Sequence, residues 1–192
     1  MLVLGSRLTN APVMSLQTGG KLAHTEKAII NPANLQIVAF EVSGTLLTEK
    51  PSFLRIADIR EYGRLGMIID STDELVGLDD VIQIERLYKQ NFSLIGMQVI
   101  DESGHKLGKI DGYTVETDDF IIQQINVKKG IFGSFNDTGL LIHRSQIVEI
   151  NDTTIVVKST AKKTAEPVMQ AIRSEFVNPF RTPKPTQPEP ET

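Results

Sequence analysis

The chain contains no cysteine and no tryptophan, and only three tyrosines and three histidines. Without cysteine there is no disulfide framework, no thiolate metal site and no thiol nucleophile, a composition that fits a reducing cytoplasm. Without tryptophan and with little tyrosine, stacking platforms for nucleic-acid bases are scarce. No run approaches the ~20 apolar residues needed to cross a bilayer. The opening stretch, MLVLGSRLTNAPV, has only a short apolar segment before Arg7, unlike the basic flank and apolar core of a secretion signal. The N-x-[ST] sequons at Asn91, Asn136 and Asn151 are therefore read as coincidental, and a soluble cytoplasmic protein is expected, with no transmembrane segment. Excess positive charge is also missing. A net charge of −4 argues against strong binding to a nucleic-acid backbone, although it leaves room for a local basic patch. What remains is 192 residues at 40% hydrophobic content, enough for one domain or two small ones with a real core.

The segment most suggestive of chemistry is DESGHKLGKID, residues 101–111. A phosphate loop needs Gly, four residues, then Gly-Lys-Ser/Thr. Gly104 and Gly108 are one residue too close for that, and Ile110 stands where a hydroxyl would reach Mg²⁺. A calcium loop starting at Asp101 needs Gly at its sixth position and Glu at its twelfth, where this chain has Lys106 and Gly112. The bland reading is a turn: Gly104 takes a positive φ, and Gly108 lets two strands approach. His24, His105 and His143 could meet at one metal only under one particular packing of the chain. Ser145 lies near His143, but no strand-turn-helix elbow surrounds it. Asp79–Asp80 and Asp118–Asp119 sit in Gly/Thr contexts that read as solvated turns. Lys106, Lys109, Lys128, Lys129 and Arg144 could form an RNA-facing patch, but Asp101, Glu102, Asp111, Glu116, Asp118 and Asp119 offset them. No catalytic, metal or cofactor-binding residue is assigned, no cofactor is expected, and the chain is not read as an enzyme.

Comparing the chain with itself is more informative. Gly19, Lys21 and Leu22 align with Gly104, Lys106 and Leu107, and the apolar beats Ile37, Phe40 and Val42 align with Ile122, Ile125 and Val127. After a connection of different length, residues 53–69 match 140–157 in pattern, with Ile59 on Ile147. Strands are expected at Val13 and over 20–23, 35–42, 53–56 and 67–69, and again over 99–100, 106–110, 120–127, 139–143 and 155–157. Many short strands between Gly, Asn and Asp turns suit small closed barrels, since closure removes exposed edges. Between the halves, LVGLDDVIQIERLY fits either a helix or strands. Residues 164–176 (TAEPVMQAIRSEF) carry Val168, Ile172 and Phe176 at helical spacing, and the proline-rich RTPKPTQPEPET reads as a disordered tail.

Each half resembles a PRC-barrel domain, the small β-barrel found in the photosynthetic reaction-centre H subunit and in the C-terminal domain of the ribosome maturation factor RimM. In the second half the resemblance rests on Leu94–Gly96, then Asp101, Gly104, Leu107, Gly108, Ile110 and Asp111, and later 141–147, with His143 where proline is usual. In the first half Thr18, Gly19, Leu22 and Ala23 give a degenerate copy, Ala23 replacing the second glycine, and Arg55 sits near the proline position. The expected fold is all-β: two small PRC-barrel-like barrels in tandem, a short C-terminal helix and a disordered tail. The expected domains are 1–75, a linker at 76–92, 93–160, the helix at 164–178, and the tail at 179–192. Gly19, Leu22, Gly104, Leu107, Gly108, Ile110 and Asp111 would then be structural turn and barrel residues.

The resemblance implies an adaptor in a bacterial cytoplasm: a non-enzymatic protein-interaction or scaffold module. The alternative it leaves open is an accessory factor in RNA or ribosome maturation. A protein partner is expected, RNA or the ribosome is the other partner considered, and peripheral association with a membrane complex is compatible. Phe132 and Phe135, in a Gly-rich connection, either cap a barrel end or form an apolar knob for a partner. Val168, Ile172 and Phe176 either fold back on a barrel or dock elsewhere.

Overall fold

The structure is a computed structural model that describes residues 1–128 and 139–159. Its first half contains β1 (Leu2–Leu4), β2 (Pro12–Ser15), β3 (Lys21–Asn31), β4 (Gln36–Ser43), β5 (Ser52–Arg55), β6 (Glu61–Gly63), β7 (Gly66–Ile69) and β8 (Leu75–Gly77), followed by helix α1 (Ile82–Gln90). The second half contains β9 (Gln98–Asp101), β10 (Lys106–Glu116), β11 (Ile121–Lys128), β12 (Leu140–His143), β13 (Ile147–Ile150) and β14 (Thr154–Val157).

The self-similarity of the sequence reappears as a repeated ladder. β2 pairs antiparallel with β3 and parallel with β7, as β9 does with β10 and β14. The antiparallel pairs β3–β4, β4–β5 and β6–β7 are matched by β10–β11, β11–β12 and β13–β14. Even the register shifts correspond: those at Thr25/Lys27 and Ile29/Ile30 have counterparts at Ile110/Gly112 and Thr114/Val115. Each shift adds a residue to one strand and increases its local twist, so the long strands curl around their own core side. The buried side chains follow: Val13, Ile37, Met67 and Ile69 line the first half, and Val99, Ile122, Ile125 and Ile155 line the second, each with no exposed surface.

The halves meet at equivalent turns. Leu35 closes the β3–β4 turn at φ 55°, and Phe120 closes the β10–β11 turn at φ 54°, both left-handed. Gln36 and Ile121 then face each other across an antiparallel bridge. The Ile37 amide donates to the Phe120 carbonyl and the Ile122 amide to the Leu35 carbonyl, both at 2.9 Å. Phe40 meets Phe120 edge-on, with centroids 5.9 Å apart. One apolar cluster therefore runs from Val3 through Phe40 and Phe120 to Val157, within a compact unit spanning Met1–Ser159.

This arrangement corrects the expected architecture. The described residues do not form two closed barrels. Fourteen strands share one hydrogen-bonded sheet, mostly antiparallel, with one α-helix, and its path runs from β13 through β11 and β4 to β6. The end strands β13 and β6 do not pair with each other, so the sheet stays open. The physical reason lies at the edges: the two curled ladders join at their turns through the β4–β11 bridge, and among the described residues β12 and β13 do not pair to close the second half. The 75–90 stretch, which fitted helix or strand, uses both. Leu75–Gly77 pairs with β5. The Asp80 carboxylate accepts the Gly77 amide at 2.7 Å, ending the strand before α1 begins.

Candidate interaction surface

Residues 101–105 form a turn organised by one carboxylate. Asp101 accepts the amides of Ser103 and His105, each at 2.9 Å, and lies 3.2 Å from His105 Nδ1. Chiefly the His105 amide, helped by the His105 side chain and the Ser103 amide, holds the Asp101 carboxyl below the usual carboxylate range, although desolvation pushes the other way. Gly104 takes φ 82° in open space, so its conformation, not its size, calls for glycine. In the first half Ser15 plays the part of Asp101: its hydroxyl accepts the Thr18 amide at 3.2 Å, and Gly19 turns at φ 67°.

Gly108 has a different task. A Cβ there would lie 2.3 Å from the Lys128 carbonyl, so glycine permits the close approach of β10 to β11. At the equivalent site the first half has Ala23, and the glycine has moved to the opposing strand: a Cβ on Gly44 would lie 2.5 Å from the Leu22 carbonyl. Leu22 and Ile110 are buried, Leu107 packs partly buried against the core, and Asp111 is exposed.

The three histidines stay apart, each held locally. His24 Nε2 lies 3.0 Å from the Ser43 hydroxyl. His105 joins the Asp101 turn. His143 Nδ1 accepts the Ser145 amide at 3.2 Å and lies 2.9 Å from the Ser145 hydroxyl, while its own amide donates to Gln146. His143 thus caps the short 3-10 turn Arg144–Gln146 that follows β12. Arg55, its counterpart after β5, binds Asp58 through two hydrogen bonds of 2.5 and 2.9 Å across the matching turn. Among the described residues no group of three or more His, Cys, Asp or Glu side chains is placed to hold a metal ion.

The strongest asymmetry lies on the outer side of the sheet. In the first half β5 is paired on both edges, to β4 and to β8. Helix α1 lies over it: Ile84 packs with Ile29, Ala39 and Phe53, and Tyr88 meets Phe53 edge-on at 5.2 Å. In the second half β12 pairs with β11 alone among the described residues. By register Leu141, opposite Asn126, corresponds to Phe53, opposite Glu41. Phe53 has no exposed surface, whereas Leu141 is 56% exposed and its neighbour Leu140 is also exposed.

Two shallow cavities complete the surface. One of about 320 Å³ lies where the β3–β4 turn faces the Arg144–Ile150 segment, with Arg144 donating to the Asn34 carbonyl. The other, about 420 Å³, lies between Leu4, Ile95, Tyr113 and Asn126, and burial pushes the Tyr113 hydroxyl pKa up. Phe132, Phe135, Val168, Ile172 and Phe176 lie outside the described residues. No helix among the described residues is long and apolar enough to cross a membrane.

Comparison with known families places a PRC-barrel domain over residues 91–163, which takes in β9 to β14 and the Asp101 turn. Domains of this type are characteristically non-catalytic. No curated protein matches the chain.

Proposed function

We propose that the chain is a protein-interaction module with a scaffold role in a bacterial cytoplasm, built from two divergent copies of the PRC-barrel family unit joined in one sheet. The observation that carries this reading is the PRC-barrel match over 91–163, in which the Asp101 turn spends its polar groups on its own backbone. The pairing order shared by residues 12–69 and 98–157 supports the first half as the second copy. On this reading the domains run over 1–75 and 93–160, with the 76–92 connection carrying α1. Gly19, Leu22, Gly104, Leu107, Gly108, Ile110 and Asp111 serve the fold, and binding falls to other surfaces. Phe132 and Phe135, in the connection that enters β12, and Val168, Ile172 and Phe176 beyond β14 are the apolar groups offered to a partner.

Affinity purification of the full chain from its native cell, with and without RNase, tests this. Partners that survive RNase support the protein-interaction module. Loss of all association with RNase, or recovery of ribosomal proteins alone, replaces it with a role in RNA or ribosome maturation.

A further inference from the structure

The two outer faces show what kind of partner the second half would accept. In the first half the free edge of β5 is filled by β8, running antiparallel, with Val76 opposite Phe53 and Leu75 opposite Leu54. The second half presents the same edge on β12 without that strand among the described residues, and with Leu140 and Leu141 exposed along it. An unpaired edge bearing apolar side chains is a template for another strand.

The sequence directly after β14 lacks the apolar pair that β8 supplies to the first half. β8 follows β7 closely and supplies Leu75 and Val76. The residues after β14 read KSTAKKTAEP (158–167), with lysines and threonines and no leucine or valine before the proline. The face beside the edge has changed too. Where α1 rests on Ile29 and Ala39, register places Thr114 and Gln124, whose side chains lie 3.4 Å apart at Oγ1 and Oε1. That polar face gives an α1-like apolar helix no seat, while the edge itself keeps its leucines.

We propose that β12 takes up an extended segment of a partner protein as an added antiparallel strand, one apolar side chain of that segment packing on Leu141 as Val76 packs on Phe53. Main-chain hydrogen bonds to the edge would supply affinity, and the Leu141 contact would supply register. This deepens the interaction-module reading, and rests on it, by naming the surface and the chemistry of the partner: a β-forming, alternating segment rather than a helix, a nucleic acid or a small molecule.

The test uses isotope-labelled full-length protein and a synthetic peptide of residues 71–80, STDELVGLDD, which carries the first half's own β8. Titration should shift the amides of 140–143 and their neighbours on β11, and Leu141→Asp, at an exposed site, should weaken binding about tenfold. In the free protein the outward amide of Leu141 should exchange rapidly with solvent, while that of His143 is held by Gln146. Absence of peptide-induced shifts at 140–143, or equal binding by the Leu141→Asp protein, would overturn the proposal. So would slow exchange of the Leu141 amide in the free chain, since another segment or a second copy would then already hold the edge. Native partners recovered equally by wild type and Leu141→Asp would remove the edge while leaving the module. Loss of every RNase-resistant partner would remove the module, and the peptide titration reports on the edge independently of that result.

Discussion

The two halves of this sheet share a ladder and differ in what lies on it. Both run the same central pairings, with matching register shifts along the two long hairpins. In the first half, however, β5 is closed in by β8 and α1, and Ser52, Phe53 and Leu54 are all buried. In the second half β12 keeps only Ile142 buried out of its four residues. A strand can thus keep its place in a repeated topology while its outer surface moves from buried core to exposed surface. The inward side chains fix the ladder, and the outward ones are free to diverge.

The largest expected effect lies at the most asymmetric pair of positions. Phe53→Ala removes a fully buried ring held by Val76 and Tyr88, and should cost about 3–5 kcal/mol in chemical denaturation. Leu141→Ala, at the equivalent register, should change stability by no more than about 0.5 kcal/mol. Equal losses at the two sites would break the comparison, because Leu141 would then be part of a core like that around Phe53.

A smaller contrast separates the glycines. Gly108→Ala forces a side chain at φ 145° into the Lys128 carbonyl, and should cost about 2–3 kcal/mol by thermal or denaturant unfolding. Gly104→Ala meets open space at φ 82° and carries only the left-handed backbone penalty, about 1 kcal/mol. Ala23→Gly, at the first half's counterpart of Gly108, gains no needed room, because Gly44 already provides the close approach, and it should lose about 1 kcal/mol of strand stability. A stabilising Ala23→Gly would mean that the halves solve this contact in the same way.

Much of this ladder is legible in the sequence, and the reasons for the rest are local. The Gly19/Gly104 turns and the apolar beats at Ile37 and Ile122 mark β4 and β11 and the starts of β3 and β10, because buried alternation is written directly into side-chain type, while the far halves of those two long strands, to Asn31 and Glu116, go unread. The short strands β1, β6 and β13 are not legible. EYG has no apolar alternation, and IVEI is nowhere fully buried, so their existence depends on partners far along the chain. The open sheet is missed for the same reason. A single bridge between Gln36 and Ile121 joins the two ladders, and no pattern within either half encodes it. Sequence reading also passes over the exposure of Leu140 and Leu141. Their run of apolar side chains looks like core until β8 is seen to be the strand that buries their counterparts.

The smallest effect separates the two turns by acid. Asp101 is held below its ordinary pKa chiefly by the His105 amide, so the folded turn favours the carboxylate. A depressed folded value means that the unfolded chain binds the proton more readily. The contribution is therefore complete above the unfolded value, and is lost as pH falls through the lower folded one. Asp70, depressed by Arg60, loses its own contribution in the same direction, so global unfolding mixes the two. Amide exchange at Ser103 and His105 isolates the turn. Protection there should fall as the pH drops below the normal aspartate range of about 3.9. The Ser15 turn, organised by a hydroxyl, should keep the protection of the Thr18 amide over the same range. Asp101→Asn should flatten the response at Ser103 and His105, because its side-chain carbonyl can still accept both amides but does not titrate. Parallel acid loss at Thr18 would show that the two turns are held by something they share, and that the exchange of serine for aspartate between the halves carries no electrostatic consequence.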